Sequence, residues 1–241
     1  MSSAPKIRKI IDPPKPDNRK IHPNLPQPHA QVLLIMPCKC GKSTIGSNMI
    51  MNDDFYGVDY FEIPPLVISN TINTDLTNRF LKKCCDTYDK YDDKIIHNFV
   101  DKQKQSGDVS QMGKACVFID DCLGDKTTAL DNLASRYRHS NIHLLMISTQ
   151  LFRKVSPTIR ANATNILIGR LQNARELDKL DEEYGGMFDN KFREIYKKAT
   201  KKKYDFLHLN LQENPAEAWI NFETKIYPTS ENEIEEIEDE E

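Results

Sequence analysis

Short runs of consecutive apolar residues alternate along the chain with longer stretches whose apolar positions recur every three to four residues. Runs at 31–36, 66–69, 116–119, 142–148, 166–169, 206–209 and 218–222 have strand length and predict β-strands. Stretches at 42–51, 74–88, 127–138 and 173–184 predict helices. A strand that is apolar throughout must be covered on both faces, and helices between successive strands provide that cover. The pattern therefore predicts an α/β fold, a mainly parallel sheet with helices on both faces. Residues 89–114 are polar and include Gly107 and Gly113, which predicts that the stretch includes a mobile surface loop.

Composition narrows the class. A chain of 241 residues, 39 % of them hydrophobic, fits one domain with modest extensions. No apolar run approaches the roughly 18 residues of a membrane span, and no secretory signal opens the chain, so the expected protein is soluble and intracellular without a membrane partner. Its six cysteines are then expected to be reduced. Neither Cys38-Lys39-Cys40 nor Cys84-Cys85 has the spacing of a zinc knuckle. The net charge of −3 averages three unlike regions. Residues 1–30 hold seven of the thirteen prolines and six Lys/Arg against two Asp, and read as an extended basic arm. Residues 231–241 carry eight acidic groups and no basic one, so 228–241 reads as an acidic tail. The folded domain is expected over 31–227.

The first predicted strand runs into Met36-Pro37-Cys38-Lys39-Cys40-Gly41-Lys42-Ser43-Thr44 and then into a predicted helix. Strand, loop, Gly-Lys-Ser and helix in that order form the context of a phosphate-binding loop. The loop from Pro37 to Thr44, through its backbone N–H groups from Cys38 onward, and the open first turn of the helix would surround the phosphates of ATP. Gly41 lets the backbone approach, Lys42 neutralises β/γ charge, and the Ser43 hydroxyl is a ligand for Mg²⁺. The loop departs from the common pattern at Met36, where a glycine is usual. At the strand end, a changed entry turn with retained amides is expected.

Two further strand ends carry chemistry. The run Ala115-Cys116-Val117-Phe118-Ile119 ends in Asp120-Asp121. Successive side chains diverge at a strand end, which assigns Asp120 to the metal beside Ser43 and Asp121 to the attacking water. Downstream, Ile142–Ile147 leads into Ser148-Thr149-Gln150. A neutral amide there can donate to the γ-phosphate and accept from the water, so Gln150 is a candidate sensor of hydrolysis. Between 136 and 175 lie Arg136, Arg138, Arg153, Lys154, Arg160, Arg170 and Arg175 and no acid. Such a stretch needs a partner for its charge, either ATP on a neighbouring subunit or a nucleic-acid backbone. A lysine-dominated cluster over 191–203 suits sequence-independent phosphate contact or a solvated helix face.

The combination of Asp120-Asp121, Arg138-His139-Ser140-Asn141-Ile142-His143, Ser148-Thr149-Gln150 and Ile159-Arg160-Ala161-Asn162-Ala163-Thr164 resembles the FtsK/HerA class of P-loop DNA pumps. Within it, the string is most similar to the poxvirus-type genome-packaging ATPases of large nucleo-cytoplasmic DNA viruses. The resemblance spans residues 31–222, strongest over 116–184 and weakest at the phosphate loop. It implies a RecA-like ASCE core that uses ATP and Mg²⁺. It also implies a homo-oligomeric ring around double-stranded DNA, read without sequence preference, and loading of a viral genome into a capsid. A capsid component would then be a further partner, and the infected-cell cytoplasm or the virion the location. Arg138 matches the arginine finger that reaches ATP on the neighbouring subunit, and Asp121 the catalytic acid. Two other readings stay open at this level: a P-loop nucleotide kinase, which would need an acceptor pocket, and a cellular-type DNA pump of the same class.

Overall fold

The computed structural model describes residues 21–74, 78–123 and 127–228. Nine strands form one sheet: β1 (Ala30–Ile35), β2 (Leu66–Ser69), β3 (Asp86–Tyr88), β4 (Ala115–Asp120), β5 (Ile142–Thr149), β6 (Asn165–Ile168), β7 (Leu207–Asn210), β8 (Glu217–Ile220) and β9 (Thr224–Tyr227). Their order is β3-β2-β4-β5-β1-β6-β7-β8-β9. From β3 to β6 all neighbours are parallel; β7, β8 and β9 continue the sheet as antiparallel strands. The helices are α1 (Lys42–Met51), α2 (Asp93–Gln105), α3 (Thr128–Arg136), α4 (Pro157–Ala161), α5 (Ala174–Tyr184) and α6 (Phe192–Ala199). Among the described residues no helix is long and apolar enough to cross a membrane.

Period-two alternation divides each central strand between two cores. Leu33 and Ile35 of β1, Val117 and Ile119 of β4, and Leu145 and Ile147 of β5 share one core with α2, α3, α4, α5 and α6. Val32, Leu34, Phe118, Leu144 and Met146 share the other with α1 and the aromatic group Tyr56, Tyr60 and Phe61. A glycine sets how closely α1 lies on the sheet. A Cβ at Gly46 would fall 2.4 Å from the Phe118 ring, so any larger residue would lift α1 off β4.

Three expectations need correction. The helix expected over 74–88 is instead a 3₁₀ turn, Asn78–Lys83, followed by edge strand β3. The open edge of β2 offers ladder bonds, and β3 takes them in register from Leu66↔Asp86 to Ile68↔Tyr88. The stretch 89–114, expected to include a loop, contains α2, capped by the Asp92 carboxylate on Lys94 N–H at 2.9 Å. Its buried face is Ile96, Phe99 and Gln103. A glutamine at a core position hides the period, although Gln103 is satisfied there by the Gly113 and Ser140 carbonyls at 2.8 and 3.1 Å. The arm expected over 1–30 is described only from residue 21 onward, and that part is not extended away from the domain. Residues 21–30 pack on the domain: Ile21 and Leu25 are buried, and the Pro26 and His29 carbonyls accept from Tyr56 and Tyr137 hydroxyls. Prolines leave this segment less entropy to lose on docking. Residues 1–20, the rest of the arm, and 229–241 of the tail lie outside the described residues.

Buried His208 on β7 is expected to make the fold pH-sensitive. Asn165 donates its amide to Thr164 Oγ1 and Gln212 Oε1, so its oxygen accepts from His208 Nε2 at 2.8 Å. Nδ1 is then bare, buried and without a partner. Burial drives the imidazole down from 6.5 to about 3. Below pH 6.5 the unfolded chain takes up a proton that the folded chain refuses, so stability falls as pH drops and the loss ends near pH 3. We expect this residue alone to cost on the order of 1 kcal/mol per pH unit in that window. Thermal melting from pH 7 to 4 should show a shallower fall for His208→Leu; parallel curves would exclude His208 as the source.

Candidate active site

β1 carries the chain to the carboxyl end of the parallel strands, where open α/β sheets bind ligands. Met36 N–H still donates to Thr149 O at 3.1 Å, and its side chain is fully buried. The methionine packs on Gly169 just past β6, where a Cβ would stand 2.9 Å from Met36 Cγ. Residue 36 therefore points into the core, away from the loop amides, and Gly169 supplies the room. Past it the loop takes left-handed backbone at Lys39 (φ 62°) and Gly41 (φ 93°). A Cβ at Gly41 would touch nothing within 4 Å, so the dihedral and not space calls for glycine there. No side chain caps α1, which leaves its first-turn N–H groups facing the loop. Lys42 is folded back, its Nζ 2.8 Å from Met36 O.

Asp120 is the best-held group of the site. It is 2 % exposed and sits in register with Ser69 on β2 and Ser148 on β5. Ser148 donates to Oδ1 at 2.6 Å; Ser69 and Ser43 donate to Oδ2 at 3.1 and 3.0 Å. Three hydroxyls and no cation surround this buried carboxylate among the described residues, and one of them, Ser43, belongs to the turn that opens α1. A hydroxyl and a carboxylate form an all-oxygen donor set, which fits Mg²⁺ completed by substrate phosphates and water. No cluster of three His, Cys, Asp or Glu occurs among the described residues, so nothing there makes a closed protein cage for a softer metal.

Asp121 is exposed and has left-handed backbone, φ 53°, held by its N–H on Ser148 O and Oγ at 3.1 and 3.2 Å. Gln150 Nε2 donates to Asp121 Oδ2 at 2.7 Å. The two strand ends thus place the acid and the amide side by side, with Asp121 Oδ1 open to solvent. The surrounding cleft, about 890 Å³, is walled by the loop 37–45, Thr71, Asp120, Asp121, Tyr204 and Phe206. It adjoins a cavity of about 570 Å³ that shares Thr44, Ile45, Tyr204 and Phe206 and adds Phe55 and Phe222. Ser69, Tyr204 and Phe206 are site residues that the sequence reading missed. Tyr204 hides at the end of a lysine run; its one sequence signal is an aromatic inside a charged segment.

Arg138 stands apart. It is exposed in the 3₁₀ turn Tyr137–Ser140 that enters β5, and its guanidinium lies 5.7 Å from the Tyr137 ring centre. The phosphate loop follows the other end of the sheet, since Ile35 pairs with Thr149. The length of β5, at about 3.3 Å per residue, separates Arg138 from Asp120, Asp121 and Gln150 of the same chain by more than 20 Å. The acid-free stretch is also partly neutralised in space. Arg153 bridges buried Glu176 at 2.7 Å, and Arg160 bridges Glu183, both on α5. From the lysine cluster, Arg193 bridges Asp178 and Asp181 of the same helix at 2.7 and 2.6 Å. Among the described residues, Arg136, Arg138, Lys154, Arg170 and Arg175 remain exposed without an ion pair, as do the lysines from Lys197 to Lys203.

The fold is α/β with a mainly parallel sheet, and it matches in shape the folds of solved P-loop packaging ATPases. In three dimensions the chain is similar to B204, the DNA-packaging ATPase of Sulfolobus turreted icosahedral virus, with a TM-score of 0.59 and 16 % identity over 80 % of this chain and 97 % of that one. It is similar to the packaging NTPase B204 of Sulfolobus turreted icosahedral virus 2 in complex with ATP-γS, at TM-score 0.54 and 18 % identity, covering 80 % and 97 % of the two chains. The pCW3 conjugation coupling protein TcpA with ATPγS gives 0.54 and 15 % identity over 77 % of this chain and 57 % of that one. No family model matches the chain. In sequence it is distantly related to the uncharacterized protein 075L of Invertebrate iridescent virus 6, 31 % identical over 115 residues, or 46 % of this chain. The match spans 43 % of that relative's length.

Proposed function

We propose that the chain is an ATP-hydrolysing translocase that moves double-stranded DNA into a viral capsid and works as a ring of identical subunits. The observation that carries this reading is the Asp120 carboxylate tied at once to Ser43 of the phosphate loop and to Ser69 and Ser148, with Asp121 and Gln150 paired beside it. Ser43 and Asp120 would hold Mg²⁺, which when bound neutralises phosphate charge and orients the γ-phosphate. Lys42 would leave the Met36 carbonyl for the β- and γ-phosphates. Asp121 Oδ1 accepts the proton of the attacking water, and Gln150, already bonded to Asp121, couples that acid to the state of the γ-phosphate. Tyr204 and Phe206 line the cleft on the side where the base would lie. The exposed run Lys201–Lys203 leads directly into Tyr204, which puts a phosphate-attracting segment at the rim of the nucleotide cleft.

The test is ATP turnover with and without long duplex DNA. Stimulation by DNA, lost in Lys42→Ala and weakening steeply as salt rises, is the expected result. Phosphate transfer to a nucleoside monophosphate with no effect of DNA would make the protein a nucleotide kinase.

A further inference from the structure

A groove of about 550 Å³ runs between α2 and α3, away from the nucleotide cleft. Its floor is apolar, from Ile96, Val100 and Leu133; its rim carries Lys104 and Arg136 with His97 and His139, all four exposed. Among the described residues no carboxylate lines it. An apolar floor under a rim of one sign calls for an acidic segment with spaced apolar anchors. The chain contains such a segment. Residues 231–241 hold eight acids and two apolar residues, Ile234 and Ile237, three apart and so able to share one helical face.

The path of the chain decides between its own tail and that of another copy. β9 runs antiparallel to β8, which is antiparallel to β7, so β9 is also antiparallel to β1 and β5. Tyr227 and Pro228 therefore emerge at the sheet end where β5 begins, the end that carries His139. Five strand spacings of about 4.8 Å, roughly 24 Å in all, separate β9 from β5. Six residues from Pro228 to Ile234 span about 20 Å when fully extended, before any turn onto the helix face. A subunit's own Ile234 falls short of the groove, which leaves the tail of another copy as the one that can seat both isoleucines.

We propose that the α2/α3 groove binds the acidic segment 231–241 of a second copy of this chain, linking subunits tail to groove. This does not depend on the nucleotide chemistry and holds whether or not the protein hydrolyses ATP.

The test uses the full chain and a fluorescent peptide of residues 229–241, with anisotropy as the readout. The peptide should bind, and Lys104→Gln with Arg136→Gln, exposed changes that circular dichroism can confirm as folded, should weaken it about tenfold at low salt. A peptide with Ile234→Ser and Ile237→Ser should lose at least as much. Sedimentation then separates the two geometries: the groove variant and the full-length tail variant should each self-associate poorly yet associate when mixed. Three results would overturn the proposal. One is no peptide binding, and another is equal binding of a scrambled peptide of the same composition. The third is unchanged peptide affinity in a groove variant that loses duplex DNA, which would make the groove a nucleic-acid surface.

Discussion

Asp121→Asn is expected to bind ATP with unchanged affinity and to hydrolyse it about 10²–10⁴-fold more slowly, the usual range for loss of a positioned general base. The substitution isolates that one function. Asparagine tolerates the left-handed backbone at position 121, so the bonds from its N–H to Ser148 can stay as they are. Its amide oxygen can still accept from Gln150 Nε2. What disappears is the open carboxylate oxygen. Phosphate release measured beside binding of a fluorescent ATP analogue separates the two quantities. Turnover within a factor of three of the parent would remove Asp121 from the role of base. Asp120→Asn should behave differently, because it unbalances three hydroxyl donors and the proposed metal site. Its defect should appear in Mg²⁺ dependence and in stability together.

The second large effect is expected at Arg138. Arg138→Ala should bind nucleotide normally and lose on the order of 10³–10⁵ in turnover, as removal of an arginine finger does. Its own site is beyond reach at the far end of the sheet, so the loss can arise only between subunits. An active site at one end and an arginine at the other suit a head-to-tail contact of the kind that closes into rings. Mixing supplies the decisive comparison. A Lys42→Ala subunit keeps its arginine and lacks a working site; an Arg138→Ala subunit has the reverse defect. Mixed rings should recover part of the activity that neither variant has alone. If the mixture stays as inactive as its components, Arg138 does not act across an interface. Exposure of Arg138 makes a folding explanation weak, and unchanged melting temperatures would dispose of it.

Much of this was legible from residue order alone because the signals are local. Five apolar positions ending in Asp120-Asp121, or Gly41-Lys42-Ser43 after a strand, are set by neighbours in the chain. Helix α1 begins and ends where its pattern says, at Lys42 and Met51. Legibility fails where an element is shaped by distant contacts. α2 escaped because Gln103 stands where the period calls for an apolar residue, and its partners Gly113 and Ser140 lie 10 and 37 residues away. α6, within the lysine cluster, buries Phe192, Ile195, Tyr196 and Ala199 beneath a charged outer face that dominates the composition.

Taken by itself, the sequence determined the strand-loop-helix from Ala30 to Met51, the acidic pair and the glutamine at two strand ends, and the mainly parallel α/β class. Tertiary structure alone decided which groups those residues meet. Strand register brings Ser69 and Ser148 to Asp120, and α5 supplies the acids that neutralise Arg153, Arg160 and Arg193. Packing turned residues 21–30 from an arm into part of the domain, and Gly169 made a buried place for Met36. The physical reason is range. Backbone periodicity and turn chemistry act over a few residues, whereas hydrogen bonds, ion pairs and steric fit act between atoms a few ångströms apart, whatever their separation along the chain.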